Sequence, residues 1–201
     1  MKYGKLILAV VAFALMPVFG YAEIQGRWEQ LVPKIPPAEN SLDVVTIHEV
    51  FSFGCPHCYT FNEHAHKLKK KFGKKIKIVP LPIGWMGLDP GRLYFIAEKY
   101  GKGEAVKDMI FDFYHQKGLE RQIYERDKLQ YVARFNGLTE QFKKEMDSKE
   151  IIKKMEASIA FAKEYEINST PTIIVEKSMK ASGDFKNLVK IINSLLKEPV
   201  K

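Results

Sequence analysis

The chain has 201 residues, 46% of them hydrophobic and 28% charged, with a net charge of +8 and two cysteines. That length is enough for one well-buried core. The surplus lysines (Lys69 to Lys71, Lys74, Lys75, Lys143, Lys144, Lys153, Lys154) lie along helix-patterned segments without aromatic interleaving. They read as a solvated face and speak against nucleic-acid binding.

Residues 1–22 have the pattern of a secretory signal peptide. Lys2 and Lys5 precede an apolar run from Leu6 to Val18, and Gly20-Tyr21-Ala22 places small residues at the two positions a signal peptidase reads. The run falls short of the ~20 residues a spanning helix needs. Glu23 is the expected first mature residue of an exported chain. Removing the segment takes away two lysines and no acid. Residues 27–32 suit a first strand, and the proline-rich stretch Pro33 to Ser41 suits only a connection.

The next stretch organises the chain. Val44-Val45-Thr46-Ile47-His48-Glu49-Val50-Phe51 is an apolar, β-leaning run that continues to Phe53. Beyond it, Cys58, Phe61, Ala65, Leu68 and Phe72 recur at the spacing of one helix face. Cys55-Pro56-His57-Cys58 therefore stands where a buried strand turns into a helix over Pro56 to Phe72, closed by Gly73. Proline suits the first helical position, since it has no N–H to lose there. The free N–H groups and positive dipole end of the first turn stabilise a thiolate over a thiol.

Lys75 to Ile83 reads as another strand, with Pro80 and Pro82 marking an edge or an early end. Asp89-Pro90 is expected to cap a helix reaching Tyr100. A second helix runs to Gln116 with Val106, Met109, Ile110 and Phe113 inward. Asp127 and Thr139 are expected N-caps of two shorter helices, and Asp147 with Glu150 resembles a capping box for a longer one whose inner face is Ile152, Met155, Ile159 and Ala162. Ser169-Thr170-Pro171 leads into the strand Thr172 to Val175, with Met179 to Ala181 as its hairpin partner. Asp184 then caps a last helix with Phe185, Leu188, Ile192 and Leu195 inward. The order is β–β–α–β, a block of helices, then α–β–β–α. This is one α/β domain, 23–87 and 150–201, carrying an all-helical insert over 88–149.

Both cysteines sit in one short loop, and a bridge closing so few residues adds little chain-entropy stabilisation. The pair is there for chemistry. Cys-x-x-Cys is also half a zinc site, and His64 and His66 follow. Along a helix, however, His64 lies roughly 9 Å beyond Cys58, too far to share one ion. Glu49, in the most apolar strand, shares a face with Phe51 and Phe53, where a carboxylate is expensive without a job or a partner. Trp85 and Met86 are placed to pack in the core or to add apolar surface beside the site.

Phe51-Ser52-Phe53-Gly54-Cys55-Pro56-His57-Cys58-Tyr59, Phe61, the leader, the element order and Thr170-Pro171 together resemble the DsbA-type periplasmic thiol:disulfide oxidoreductases. The resemblance implies a thioredoxin fold with an inserted helical domain, and a monomer that acts as a dithiol oxidase on newly exported proteins. Within it Cys55 is the attacked sulfur, Cys58 the buried partner and His57, after Pro56, a donor to the Cys55 thiolate. Glu49 assists proton transfer for the buried cysteine, and Thr170-Pro171 forms a cis-proline loop that offers backbone to a bound peptide. No metal or organic cofactor is implied. The implied partners are reduced unfolded secreted proteins and a quinone-linked membrane oxidase of the DsbB type. Threonine before the proline departs from members that carry valine there. A reductase or isomerase on the same scaffold is the nearest alternative, although isomerases of the compartment add an N-terminal dimerisation domain for which the stretch before Trp28 leaves no room. A non-catalytic zinc- or peptide-binding module is the alternative from another class.

Overall fold

The computed structural model describes residues 24–31, 41–84, 87–116 and 122–200. The expected signal peptide, most of the proline-rich connection, and Trp85 and Met86 lie outside the described residues.

β1 (Trp28–Gln30), β2 (Val45–Phe51) and α1 (Pro56–Phe72) come first. A 3-10 turn (Gly73–Lys75) and β3 (Ile76–Pro82) follow. Next come α2 (Asp89–Lys99), α3 (Gly103–His115), a 3-10 turn (Gln122–Tyr124), α4 (Arg126–Phe135), α5 (Thr139–Glu145) and α6 (Lys149–Glu164). The chain closes with β4 (Thr172–Val175), β5 (Met179–Ala181) and α7 (Phe185–Leu195). The strands form one mixed sheet in the order β1-β5-β4-β2-β3, in which only β2 and β3 run parallel. This is the thioredoxin fold with a block of helices between β3 and α6. β3 is an edge strand, which is where Pro80 and Pro82 can be tolerated without losing ladder hydrogen bonds on both sides.

β2 lies inside the sheet with layers on both faces, and so reads as a nearly unbroken apolar run. Val45 and Ile47 pack with Phe61, Ala65 and Leu68 of α1 and with Leu188 and Ile192 of α7. Val50 packs on the other face with Ala162 of α6. A further core joins Phe51, Phe53 and Cys58 to the helical block through Leu93, Ile110, Phe111, Leu129 and Met155. The dithiol segment is thus one wall of the helical core.

Several local expectations shift. β2 stops at Phe51, and Ser52 to Gly54 make a turn in which Cys55 N–H donates to the Ser52 carbonyl at 3.1 Å. Asp89, Asp127 and Thr139 lie inside the first turns of their helices, whose N-caps are Leu88, Glu125 and Leu138. Ser148, not Asp147, caps α6, its hydroxyl accepting from Ile151 N–H at 3.3 Å. Asp89 and Asp147 instead share Arg92 and Arg126, tying α2 to α4 and to the start of α6. On α3 the buried residues are Val106, Lys107, Ile110 and Phe111, with Met109 and Phe113 only half-buried. The helix turns this face toward Phe51 and Phe53 as well as toward its helical neighbours. On α6 the inward face is Ile151, Met155, Ser158 and Ala162, one residue round from the expected stripe. Asp184 caps α7 as expected, accepting from Asn187 N–H at 2.9 Å.

Candidate active site: a dithiol at a helix N-terminus

Cys55 is the N-cap of α1, in extended backbone geometry, and Pro56 opens the helix. Its sulfur takes the place a serine or aspartate oxygen usually holds, 3.4 Å from Cys58 N–H, which also donates to the Cys55 carbonyl at 3.0 Å. A sulfur there meets unsatisfied N–H groups and the positive end of the helix dipole, and both favour negative charge. No acidic residue in the first turn opposes this.

The two thiols are free and differ in environment: Cys55 is half-buried and Cys58 fully buried. Burial pushes the Cys58 thiol far above the ordinary cysteine range, against a smaller opposing pull from the Ser52 backbone and the Thr170 side chain. Cys58 therefore stays protonated while Cys55 faces solvent. Pro56 and His57 are exposed at the helix start.

Thr170-Pro171 is a cis peptide bond. It comes beside the dithiol because β4 pairs with β2, and the residues preceding β4 arrive where β2 ends. The Cys55 thiol donates to the Thr170 carbonyl at 3.2 Å, and the Thr172 hydroxyl braces the loop by donating to Ser169 O at 2.8 Å.

Glu49 is completely buried and forms an ion pair with Lys107 of α3, Oε2 to Nζ 2.6 Å. Its other oxygen has no protein partner. Burial raises the Glu49 carboxyl above its usual range, against the pull of Lys107. The ammonium also lies 4.5 Å from the centre of the Phe51 ring. Sequence reasoning missed Lys107. The available signal was a lysine adjoining the Val106–Ile110 stripe of an otherwise apolar helix face. It also missed His115, whose Nε2 lies 3.0 Å from the Phe53 carbonyl.

His64 and His66 point to opposite flanks of α1. His64 donates to Gly183 O at 3.0 Å, and His66 meets Asp108 at 2.9 Å. Neither is bonded to the dithiol. A cleft of about 580 Å³ between α1, α2 and α3 is lined by Ala65, His66, Tyr94 and Lys107, and none of Cys55, Cys58, Thr170 or Pro171 reaches it.

A family model described as Thioredoxin matches residues 43–194, which span β2 to β5, the dithiol and the helical block together. The chain belongs to the thioredoxin family. Among curated relatives of this thioredoxin-family chain is the thiol:disulfide interchange protein DsbA of Pseudomonas syringae pv. tomato. It is 29% identical over 174 residues, covering 83% of this chain and 79% of that one. The DsbA of Burkholderia cepacia is 23% identical over 170 residues, covering 84% and 80%. Among solved structures, the oxidoreductase DsbA of Xylella fastidiosa superposes with a TM-score of 0.68 at 24% identity, covering 84% of this chain and 92% of that one. Pseudomonas aeruginosa DsbA gives 0.68 at 21%, covering 85% and 90%. These structures show the shared fold, helical block included. Among the described residues, no helix is long and apolar enough to cross a membrane.

Proposed function

We propose that this protein is a thiol:disulfide oxidoreductase that donates a Cys55–Cys58 disulfide to newly exported proteins. The observation that carries the reading is the asymmetry of the two sulfurs. Cys55 is the partly exposed N-cap of a helix, with a backbone N–H at its sulfur, and Cys58 is buried.

In the reaction so read, a substrate thiolate attacks Cys55 Sγ of the disulfide. The Cys55–Cys58 bond breaks, and Cys58 leaves with the electron pair and takes up a proton. Glu49, paired with Lys107, is the group we assign to that proton. The substrate's second thiolate then attacks its own half of the mixed disulfide and expels Cys55 as a thiolate. Two electrons have passed from the substrate dithiol to the enzyme. Because the helix start favours the Cys55 thiolate, it leaves readily. We assign His57 to that same stabilisation from the exposed second position, and the Thr170 and Pro171 backbone to alignment of the substrate strand. Reoxidation falls to a quinone-linked membrane oxidase of the DsbB type in the periplasm. The segment 88–149 is read as the insert, and the protein as a monomer.

The test is the equilibrium constant with glutathione, measured beside oxidation of a dithiol peptide. A strongly oxidising couple that closes the peptide disulfide is expected. A couple near that of the thioredoxins would make the protein a reductase. Stoichiometric zinc in the purified reduced protein would overturn the catalytic reading.

A further inference from the structure

We propose that His115 is a positioning residue for this dithiol, through which the last turn of α3 holds the backbone turn that presents Cys55. The inference rests on the oxidoreductase reading above.

The Phe53 carbonyl can only accept a hydrogen bond, so the ring nitrogen 3.0 Å away is the donor, and this assigns the proton to Nε2. Phe53 lies in the turn between β2 and α1, two residues before Cys55. That turn is closed on itself by the bond from Cys55 N–H to Ser52 O, and His115 anchors it from outside. The imidazole is held in its turn. It stacks on Tyr59 with ring centres 5.0 Å apart and planes 11° from parallel, and it lies 4.7 Å from the Tyr114 ring.

Tyr59 is itself fixed from the same helix. Its hydroxyl donates to Asp112 at 3.1 Å and accepts from the Gln116 amide. Asp112, His115 and Gln116 are three and four residues apart, on one face of the C-terminal end of α3. This face grips the dithiol segment on both sides, at Phe53 before Cys55 and at Tyr59 after Cys58.

The chemical consequence follows from the sulfur's contacts. Cys55 Sγ has the Cys58 N–H at 3.4 Å and the Thr170 carbonyl at 3.2 Å. An N–H aimed at the sulfur favours the thiolate far more than the disulfide, because a hydrogen bond to an ion is stronger than one to a neutral acceptor. Releasing the Phe53 carbonyl lets the turn drift and weakens that alignment. The reduced form then loses more than the oxidised form, and the couple becomes less oxidising.

The experiment measures the glutathione equilibrium constant and urea melts of both redox forms for wild type, His115→Phe and His115→Gln. Phenylalanine keeps the stack on Tyr59 but has no N–H, whereas glutamine keeps an N–H donor. His115→Phe should move the constant about three- to tenfold toward the oxidised protein, with the reduced form destabilised more than the oxidised one. His115→Gln should restore most of the wild-type value. Two outcomes overturn the proposal: equal destabilisation of both forms by His115→Phe with an unchanged constant, or His115→Gln shifting the constant as far as phenylalanine does. Should His115→Phe fail to fold, Tyr59→Leu decides, since it removes the ring that orients the imidazole. A shift in the same direction supports the proposal and an unchanged constant refutes it. A wild-type protein unable to oxidise a dithiol peptide would instead sink the oxidoreductase reading, a result distinct from all of these.

Discussion

Replacing Lys107 with methionine removes one half of a buried ion pair and keeps the volume of the side chain. Glu49 Oε2 then loses the ammonium at 2.6 Å, with its other oxygen already unpartnered and the group wholly buried. Breaking such a pair from one side costs about 3–5 kcal/mol, against roughly 0–1 for an exposed pair. The structure sets a ceiling by a second route, because the orphaned carboxyl can neutralise itself. A carboxyl kept protonated at pH 7, with an unfolded pKa of ~4.3, forfeits about 1.4 kcal/mol per pH unit, or about 4 kcal/mol in all. At pH 5 the same reasoning leaves about 1 kcal/mol. The sign is that of a raised acid: burial already holds the Glu49 pKa above its unfolded value. Its contribution is therefore fully present below about pH 4 and lost as pH rises through the folded value. Lys107→Met raises that value further, so the loss should widen between pH 5 and pH 7 in urea melts read by midpoint at constant m. Glu49→Gln with Lys107→Met, which removes both charges, should abolish the pH dependence. A loss equal at both pH values, or below about 1 kcal/mol at pH 7, would refute the claim that this lysine offsets a buried carboxylate.

Three further outcomes follow from the same geometry. Offered disulfide-bonded proteins, Cys58→Ser should accumulate mixed disulfides, because the Cys55 thiolate attacks the substrate disulfide, releases one substrate thiolate and has no Cys58 to resolve the product, whereas Cys55→Ser should trap none; equal trapping by both would overturn the assignment of the sulfurs. Because the folded Cys58 pKa is raised above the unfolded ~8.5, the reduced protein should lose up to about 1.4 kcal/mol of stability per pH unit above pH 8.5, a slope that Cys58→Ala removes and that melts up to pH 10 would detect. Asp184→Ala and Ser148→Ala should each cost about 1 kcal/mol by uncapping α7 and α6, which thermal unfolding of the two variants checks; no loss in Ser148→Ala would refute its role as the α6 cap.

The dithiol could be read from the sequence because everything that makes it is local. A β-leaning run, Cys-Pro-His-Cys and the Phe61–Ala65–Leu68–Phe72 stripe lie in one continuous stretch, and capping, proline preference and helix periodicity act over a few residues. The same holds for α1, β4 and the Asp184 cap, whose ends fall where the residues put them. Cap choice between neighbours was not so legible: Asp147 and Asp89 are good caps by type, but Arg92 and Arg126, distant in the chain, claim their carboxylates. What surrounds the dithiol was decided by packing. Thr170 reaches Cys55 only because β4 pairs antiparallel with β2, and no local rule specifies that neighbour. Lys107 and His115 read as ordinary polar residues of an amphipathic helix. They become the partners of Glu49 and of the Phe53 carbonyl when α3 docks along β2 and the strand-to-helix turn, because a buried charge and an anchored carbonyl need groups that only another element can bring within hydrogen-bonding distance.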